Sequence, residues 1–416
     1  MARKLVEVVL HELAILRGTK MKRGRMVLSV NAGSSSLKLS LYRVSADGEQ
    51  QAGWGHVDRI GQEEGHFAVY DGDGNVLAEN HNPCPLHGDA MKALCRVLRK
   101  SGVGEPDAIG HRLVHGGERF TEPALIDPEV MNELRELIPF APLHLPAQIQ
   151  CIETAYQIFP GLCQVGCFDT ALHRRMPEAA QRYPLPRWLW DEGVRRYGFH
   201  GLSYEYILSV LPDNAAGRII IAHLGQGASL AAVRDGQPVD TTMGFTPTGG
   251  LMMATRSGDL DPGVLLYLMD VKGYDAAKID DLVNFKAGLW GVSNGGSDMK
   301  TLLARRQSDP FANQAIEMFC YYLRKYIGSL TAVLGGLDTL VFTGGIGEKG
   351  AAVRWEACQG LEYLGIALDA EKNDANADII STSDSRCCVR VIPTNENLMI
   401  ARHTNRIVCK QAGPSG

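Results

Sequence analysis

Short apolar runs and amphipathic helical patterns alternate along the whole chain. The pattern predicts a strand over residues 27–30, a turn, and a second strand over residues 37–42. After a polar, glycine-rich meander it predicts helices over 90–100, 129–137, 147–158, 310–334 and 351–364, and strands over 107–114, 163–168, 339–343 and 389–392. Strands that alternate with helices in this way are typical of an α/β protein.

The middle of the chain repeats the pattern of its start. Residues 218–223, 224–227 and 228–233 again predict strand, tight glycine turn and strand. Two copies of one unit indicate an internally duplicated protein with two similar lobes. With 416 residues, the chain also exceeds the size at which one hydrophobic core stops growing. Because no linker or low-complexity run separates the lobes, we expect them to pack together around a cleft.

The charge balance and the cysteines narrow the class of partner. A net charge of −5 gives no reason to expect nucleic acid or an anionic membrane as a partner. If the substrate is an anion, individual arginine and lysine residues must bind it. Ten cysteines without a C-x-x-C pair, and no histidine cluster at zinc-ligand spacing, indicate reduced thiols and a cytoplasmic protein. No run approaches the ~20 apolar residues of a membrane span. Residues 1–25 are expected to be an optional extension rather than a secretory signal, with Met21 or Met26 as the more natural start.

Three glycine-rich segments are candidates for phosphate binding. The first, at residues 31–38, offers successive backbone N–H groups and the hydroxyls of Ser34 and Ser36, with Lys38 on the same strand face as Ser36. The alternative is an ordinary hairpin with a solvated lysine. The second, at residues 223–227, is by itself only a weak indication of phosphate binding, and its similarity to the first segment strengthens that indication.

The third segment has the pattern G-x-G-x-x-G at residues 345–350, after a predicted strand and before a predicted helix. This context is typical of a dinucleotide-binding unit, with Asp369 downstream as the acidic residue, so an NAD-dependent oxidoreductase is the competing interpretation. Against it, no residues for hydride transfer accompany the segment, and the two earlier turns stay unexplained. No G-x-x-x-x-G-K-[ST] occurs, which excludes a P-loop enzyme at the motif level.

Five charged or titratable residues are candidates for a phosphoryl-transfer site, which needs positioned cations, hydrogen-bond donors and a divalent metal. Arg112 and Arg256 stand among apolar and glycine residues, where a guanidinium needs an anionic partner; the alternative is a structural arginine–aspartate pair. Asp169 follows a predicted strand, as a ligand group or as a cap of the next helix. His200 lies among aromatic and glycine residues, and Glu396 precedes a helical run as a cap or a metal ligand.

Eight segments, in order and with matching spacing from Met26 to the C-terminus, resemble the acetate kinase family. They are residues 29–38, 110–120, 168–173, 195–203, 240–262, 297–299, 343–348 and 392–402. The resemblance implies two similar lobes of a duplicated actin-like ATPase fold, with mixed sheets flanked by helices, around an interlobe nucleotide cleft. It implies lobe I, on the acyl-substrate side, over residues 26–170 plus roughly 397–416, and lobe II, which binds the nucleotide, over residues 171–396.

The same resemblance implies roles for individual residues. Asp169, His200 and Arg256 would be catalytic, and Asn31 and Glu396 would serve a site for Mg²⁺ or Mn²⁺. The acyl substrate would be bound by Arg112, Val114, Leu143, Phe199 and Pro247. ATP would be bound by Ser34, Ser36, Lys38, His223, Leu224, Gly225, Gln226, Gly227, Asp298, Met299, Lys300, Gly345, Ile346, Gly347, Glu348 and Lys349.

The implied reaction is a reversible, in-line transfer of a phosphoryl group from Mg·ATP to acetate, giving acetyl phosphate and ADP, by a cytoplasmic homodimer. Val114 favours acetate because alanine there would make room for a longer acid, although one methylene is worth only ~1–3 kcal/mol. A propionate or butyrate kinase and a nucleotide-sensing relative without catalysis are the alternatives. Gln226, Lys300 and Lys349 depart from the family pattern and bear on nucleotide preference.

Overall fold

The computed structural model describes residues 24–212 and 217–411 of the chain. The sequence predicts an extension over residues 1–25, and residues 1–23 of it lie outside the described part of the chain. Among the residues that are described, no helix is both long and apolar enough to cross a membrane.

The larger of two β-sheets contains eight strands in the order β5-β4-β3-β2-β1-β6-β8-β7. Its strands are β1 (Arg25–Ala32), β2 (Ser36–Ser45), β3 (Gly48–Asp58), β4 (His66–Asp71), β5 (Val76–Asn80), β6 (Ala108–Leu113), β7 (Ala124–Leu125) and β8 (Cys163–Phe168). Strand β1 pairs antiparallel with β2 and parallel with β6, and β6 pairs parallel with β8. The carboxyl ends of β1, β6 and β8 therefore lie side by side.

The second sheet contains five strands in the order β11-β10-β9-β12-β13. Its strands are β9 (Arg218–Leu224), β10 (Ala228–Arg234), β11 (Gln237–Thr241), β12 (Thr339–Thr343) and β13 (Cys388–Val391). Strand β9 pairs antiparallel with β10 and parallel with β12, which pairs parallel with β13. This order and these directions reproduce those of β3-β2-β1-β6-β8. The duplication predicted from two short patterns is therefore confirmed for a whole five-stranded unit.

The described residues form fifteen α-helices. The helices are α1 (His87–Lys100), α2 (Pro128–Glu136), α3 (Leu145–Ile158), α4 (Glu178–Gln181), α5 (Arg187–Asp191), α6 (Gly201–Val210), α7 (Pro262–Asp270), α8 (Ala276–Phe285), α9 (Gly288–Val292), α10 (Met299–Arg305), α11 (Pro310–Leu334), α12 (Gly344–Lys349), α13 (Ala351–Cys358), α14 (Ala370–Asp374) and α15 (Glu396–Gln411). On the eight-stranded sheet, helices α1 and α3 pack on one face, and α15 crosses β1, β2, β6 and β8 on the other. Because β1 is covered on both faces, Val27, Leu28 and Val30 are all buried.

The long helix α11 covers the five-stranded sheet, and its own sequence sets its ends. The carboxylate of Asp309 accepts hydrogen bonds from the N–H groups of Phe311 and Ala312, and Pro310 occupies the first turn. Gly335 ends the helix in the left-handed conformation, with φ of 71°. The observed bounds are those predicted from the sequence.

Three predicted features differ from the structure. Residues 345–350, predicted as a glycine-rich loop, lie almost entirely in helix α12, which begins directly after β12. The helix predicted over residues 351–364 ends at Cys358 as α13, because Gln359 is extended and Gly360 adopts a left-handed φ of 78°. The polar meander contains strands β3, β4 and β5, in which exposed residues occur only at the start of β3 and within β5.

Candidate active site

Adjacent strand ends bring Asn31, Arg112 and Asp169 together. Arg112 lies on β6, and Asp169 directly follows the neighbouring strand β8. Nε of Arg112 donates to the two carboxylate oxygens of Asp169 at 3.0 and 3.1 Å, and Nη2 donates to Oδ2 at 2.6 Å. Nη1 of Arg112 donates to Oδ1 of Asn31, on β1, at 3.1 Å. The contact is thus an arginine–aspartate pair, and the Asp169 side chain does not cap the following helical turn.

Burial and mutual attraction set the charges of this pair. The side chain of Asp169 is 1% exposed and that of Arg112 is 18% exposed. Burial raises the pKa of Asp169, and the Arg112 guanidinium opposes that shift. Burial on its own would lower the pKa of Arg112, but the carboxylates of Asp169 and Glu396 outweigh it and raise the pKa. A guanidinium carries five N–H groups, so Arg112 can still donate to a further anion.

Glu396 joins this polar group from the first turn of α15. Its Oε2 accepts a hydrogen bond from Nδ2 of Asn31 at 2.9 Å and lies 4.0 Å from Nε of Arg112. The helix is capped by Asn395, whose Oδ1 accepts from the N–H of Leu398 at 2.9 Å. Burial opposes ionisation of Glu396, but the positive groups around it, Arg112 first, outweigh burial and lower its pKa. Glu396 is therefore a carboxylate anion that faces the site.

His200 is held in a fixed orientation immediately before α6. It adopts the left-handed conformation, with φ of 59° and ψ of 22°, which is costly for a residue with a side chain and is typical of functional sites. Its Nδ1 lies 2.8 Å from Oγ of Ser229, which also contacts the hydroxyl of Tyr204. The ring of His200 stacks on that of His223 with centroids 4.2 Å apart. These contacts leave Nε2 beside Gly227.

Arg256 borders the same glycine. A Cβ placed on Gly227 would lie 3.3 Å from Nε2 of His200 and 3.6 Å from Nη1 of Arg256, so both groups border one small space. Nη1 of Arg256 donates to the carbonyl of Pro247 at 3.2 Å. Within residues 24–212 and 217–411, no carboxylate lies within salt-bridge distance of Arg256. Burial, and then repulsion by Arg112, lower the pKa of Arg256.

The cluster is a largely buried site in which one arginine lacks a direct carboxylate partner. Arg112 is neutralised by Asp169, whereas Arg256 has no such partner in the described part of the chain. Burial, and then the positive groups around it, hold the pKa of His200 well below its ordinary value, so its ring is neutral. Cations and donors fixed in a poorly hydrated space are what a phosphoryl group in transfer requires.

The two matching turns lie at equivalent strand ends. Between β1 and β2, the N–H of Gly33 donates to the carbonyl of Ser36 at 2.8 Å. Between β9 and β10, the N–H of Gly225 donates to the carbonyl of Gly227 at 2.9 Å. Nδ1 of His223, near the end of β9, forms a hydrogen bond with Oγ of Ser203 at 2.8 Å. The two turns lie at equivalent strand ends but differ by one residue in length, and the second of them borders the charged cluster.

The residues predicted to bind ATP differ in exposure. Exposed or open positions are Ser34, Lys38, Gln226, Lys300, Gly345 and Lys349. Leu224 and Met299 are 0% and 4% exposed in the apolar core, so only their backbones can meet a ligand. Ile346 and Gly347 lie within α12, where Ile346 packs against the same core.

Two further predicted ATP residues have structural contacts. Oδ2 of Asp298 caps α10 by accepting from the N–H of Thr301 at 2.9 Å. Oε1 of Glu348 accepts from the N–H groups of Gly344 at 3.0 Å and Thr394 at 3.2 Å. Both carboxylates therefore stabilise the loops and helices around the turns.

Apolar side chains border the charged cluster on one side. Val114, two residues beyond Arg112, is 3% exposed, and Phe199, next to His200, is 1% exposed. Both belong to one apolar cluster. Leu143 and Pro247 are partly buried, and the carbonyl of Pro247 holds Arg256. Val114 and Phe199 thus lie near Arg112 and His200 along the chain, Pro247 contacts Arg256, and Leu143 precedes His144, which lies near both arginines.

His144 lies near both arginines, although nothing in the sequence singles it out. Burial, then Arg256 and Arg112, lower its pKa to about 3. Ser229 and Tyr204, which orient His200, are also absent from the predicted set. His144 is a single histidine between two leucines, and Ser229 is a serine in an apolar strand, so neither belongs to a recognisable sequence motif. Only the folded structure identifies them.

Because several buried histidines are neutral in the folded chain, we expect the free energy of unfolding to decrease as the pH falls. Burial lowers the pKa of His111 and His173 to about 4 and that of His115 and His144 to about 3. The unfolded chain protonates them near pH 6.5 and the folded chain does not, so their contribution is complete above that pH and declines below it. Between pH 7.5 and 5.5 we expect the free energy of unfolding to fall by about 1 kcal/mol for each histidine. Urea unfolding at both pH values measures this, and equal free energies would contradict neutral burial.

Comparison with known proteins finds relatives over nearly the whole chain. The model of the acetokinase family matches residues 26–402. An acetate kinase of Methylocella silvestris is 45% identical over 406 residues, covering 93% of this chain and 99% of that protein. The crystal structure of Porphyromonas gingivalis acetate kinase is similar with a TM-score of 0.82 at 40% identity, covering 92% of this chain and 100% of that one. A Francisella tularensis propionate kinase structure gives a TM-score of 0.84 at 35% identity, covering 92% and 99%.

These matches extend over both sheets and over every residue of the charged cluster, from Asn31 to Glu396. The duplicated actin-like fold that the sequence predicts is confirmed by these structural neighbours and by the two matching strand orders. The chain belongs to the acetokinase family.

Proposed function

We propose that this protein is an acetate kinase, which transfers the γ-phosphoryl group of ATP reversibly to acetate and forms acetyl phosphate and ADP. The observation that carries the proposal is the partly buried guanidinium of Arg256, without a carboxylate partner among the described residues, beside Nε2 of His200. A buried cation is unfavourable unless an anion occupies its site during function. Relatives named acetate kinase in several species support acetate over a longer acid and over the NAD-binding alternative.

In the proposed reaction, an acetate oxygen forms a bond to the γ-phosphorus while the bond from that phosphorus to the bridging oxygen of ADP breaks. Arg112 binds the acetate carboxylate, and Asp169 acts by holding its guanidinium in place. Arg256 and Nε2 of His200 donate to the oxygens of the moving group, where charge is spread in the transition state. Such direct transfer needs no covalent intermediate on the protein.

Asn31 and Glu396 would hold the Mg²⁺ ion that accompanies ATP. Glu396 is kept ionised by Arg112, and Asn31 lies beside it with an amide oxygen. These oxygen ligands fit Mg²⁺ and equally Mn²⁺, because Mg²⁺ retains several waters and takes one or two carboxylates together with substrate phosphates. When bound, the ion neutralises phosphate charge.

The nucleotide would lie across the exposed backbone of the second lobe. Gly225, Gly227 and Gly345 present that backbone, and Lys38 reaches the phosphates from the opposite lobe. We propose the lobes at residues 26–170 plus roughly 397–416 and at residues 171–396. Helix α15 supports this division, since it packs on the eight-stranded sheet although it ends the described chain.

A hydroxamate assay tests the proposed reaction. Protein incubated with acetate, Mg·ATP and hydroxylamine is expected to produce acetyl hydroxamate in proportion to the enzyme added. Omission of acetate or of the metal should abolish the product. Binding of ATP without formation of an acyl phosphate would identify a nucleotide-sensing relative and refute the proposal.

Val114→Ala is expected to shift the acid preference about ten-fold towards propionate. The side chain of Val114 is 3% exposed beside Arg112, and one extra methylene in such a pocket is worth ~1–3 kcal/mol. The ratio of kcat/KM for propionate and acetate, at saturating ATP, measures the shift. Val57→Ala, at a valine 1% exposed in another cluster, is the matched control. An unchanged ratio in Val114→Ala would place the acyl pocket elsewhere.

We further propose that the protein is a homodimer. Exposed apolar side chains gather on α7, where Val264, Leu266, Tyr267 and Met269 are 44%, 59%, 50% and 45% exposed. An apolar surface of this kind is typical of an interface, and a second copy of the chain is the partner that the family resemblance implies. Leu266→Glu is expected to give monomers in light scattering, whereas Leu86→Glu, at a leucine 53% exposed before α1, should not. A monomeric unmodified protein would refute the proposal.

A cytoplasmic location is proposed from the cysteines. All ten are free thiols, which is typical of a reducing compartment. Burial raises the pKa of Cys95 and Cys151 to about 12, so these side chains are inert core residues.

A further inference from the structure

Histidines and carboxylates from three strands meet on one face of the eight-stranded sheet, on strands that lie beyond those crossed by α15. His56 and Asp58 lie on β3, His66 begins β4, Glu79 lies on β5 and His81 follows it. The antiparallel register places Asp58 directly opposite His66. The sequence shows no histidine cluster at zinc-ligand spacing because these residues come from three strands and meet only through strand pairing.

The donor atoms of three of these residues are spaced as metal ligands are. Nε2 of His56 lies 3.3 Å from Nδ1 of His66 and 3.5 Å from Oδ2 of Asp58. In a tetrahedral site with Zn–N bonds of about 2.0–2.1 Å, two ligand nitrogens lie ~3.3 Å apart. The planes of the two rings are inclined at 69°, so lone pairs that lie in those planes can converge on one ion.

Glu79 holds His66 in the tautomer that a metal needs. Oε1 of Glu79 lies 3.0 Å from Nε2 of His66, so Nε2 carries the hydrogen and Nδ1 is free to coordinate. A metal-bound histidine almost always donates its other N–H to a carboxylate or carbonyl in this way. His81 does not fit the same ion, because its ring lies nearly parallel to that of His66, at 14° and with centroids 4.8 Å apart.

The charges around His56 balance in favour of a cation. Lys38 lies opposite His56 in the β2–β3 pairing and opposes a cation, whereas Asp58 and Glu79 supply two negative charges. The ring of Trp54 lies nearly parallel to that of His56, at 17° and with centroids 6.0 Å apart.

We propose that His56, Asp58 and His66 bind one Zn²⁺ ion or a similar first-row transition-metal ion, with Glu79 as the positioning residue of His66 and water completing the coordination. Imidazole ligands select such ions over Mg²⁺, which takes oxygen ligands. The site is therefore different in its chemistry from the one that would hold the metal of Mg·ATP.

Calorimetric titration of the full chain with ZnCl₂ tests the site, after EDTA treatment and in excess Mg²⁺ without nucleotide. One ion is expected to bind with micromolar affinity or better, and Co²⁺ in its place should give the visible absorption of a tetrahedral complex. His56→Gln and His66→Gln should each abolish binding, and Glu79→Gln should weaken it about 10–100-fold. His81→Gln should retain it, as should His403→Gln, which removes a histidine paired with Glu205 at 2.7 Å outside the cluster.

Circular dichroism of each variant shows that loss of binding is not loss of folding. Absence of Zn²⁺ binding by the unmodified protein would reduce the 3.3 Å contact to an imidazole–imidazole hydrogen bond and overturn the proposal. Binding that survives both His56→Gln and His66→Gln, or that is lost only in His81→Gln, would overturn it as well.

Discussion

Arg256→Ala is expected to lower kcat by about 10²–10³-fold while changing the free energy of unfolding by no more than about 1 kcal/mol. Arg256 is a partly buried cation whose pKa is lowered by burial and by Arg112, so its charge does not stabilise the folded chain. Its contact with the carbonyl of Pro247 is a single hydrogen bond. In the proposed mechanism the guanidinium binds the phosphoryl group during transfer, so its loss should raise the free energy of the transition state rather than that of the folded protein.

Steady-state kinetics with acetate and Mg·ATP, together with urea unfolding, measure both effects. Arg306→Ala is the control, because it removes an arginine that is paired with Glu356 at 2.6 Å away from the cluster. It should leave kcat unchanged. A variant Arg256→Ala that kept its kcat and only raised KM would show uniform binding of substrate and would contradict the assigned role.

Arg112→Ala, unlike Arg256→Ala, is expected to destabilise the fold strongly, with a loss of ~3–5 kcal/mol in the free energy of unfolding. Its partner Asp169 is 1% exposed and would be left as a buried, unpaired carboxylate. Because such a carboxylate takes up a proton, the loss should be smaller at pH 5 than at pH 8. The KM for acetate should also rise, since the same guanidinium is proposed to bind the acyl carboxylate.

A double-mutant cycle isolates the pair. Arg112→Ala with Asp169→Ala removes both charges, so we expect the double variant to lose clearly less stability than the sum of the two single variants. Urea unfolding of the four proteins measures the coupling. Additive losses would mean that the bidentate contact between Arg112 and Asp169 contributes nothing as a pair.

The contrast between the two arginines shows where sequence analysis stops. Both stand among apolar and glycine residues, and the sequence marks both as needing an anion. The register of β6 against β8 gives Arg112 its partner Asp169, and this register is not visible in local patterns. Arg256 has no carboxylate partner among the described residues. On that difference we propose a catalytic role for Arg256, and for Arg112 a structural role beside its binding of the acyl carboxylate.

Local patterns predict local structure well in this chain. The strand–turn–strand units and helix α11 follow from apolar runs, caps and glycines that act over a few residues. Helix α12 is missed because its glycines favour a loop. It is stabilised from outside by the buried Arg354, whose Nη1 donates to the carbonyls of Gly347 at 2.8 Å and Glu348 at 3.1 Å.

The most direct test of the account is a crystal structure with ADP, Mg²⁺, acetate and aluminium fluoride, which imitates the phosphoryl group in transfer. We predict that the fluoride group lies within hydrogen-bond distance of the Arg256 guanidinium and of Nε2 of His200, with acetate on Arg112. A fluoride group bound away from Arg256 and His200 would contradict the account.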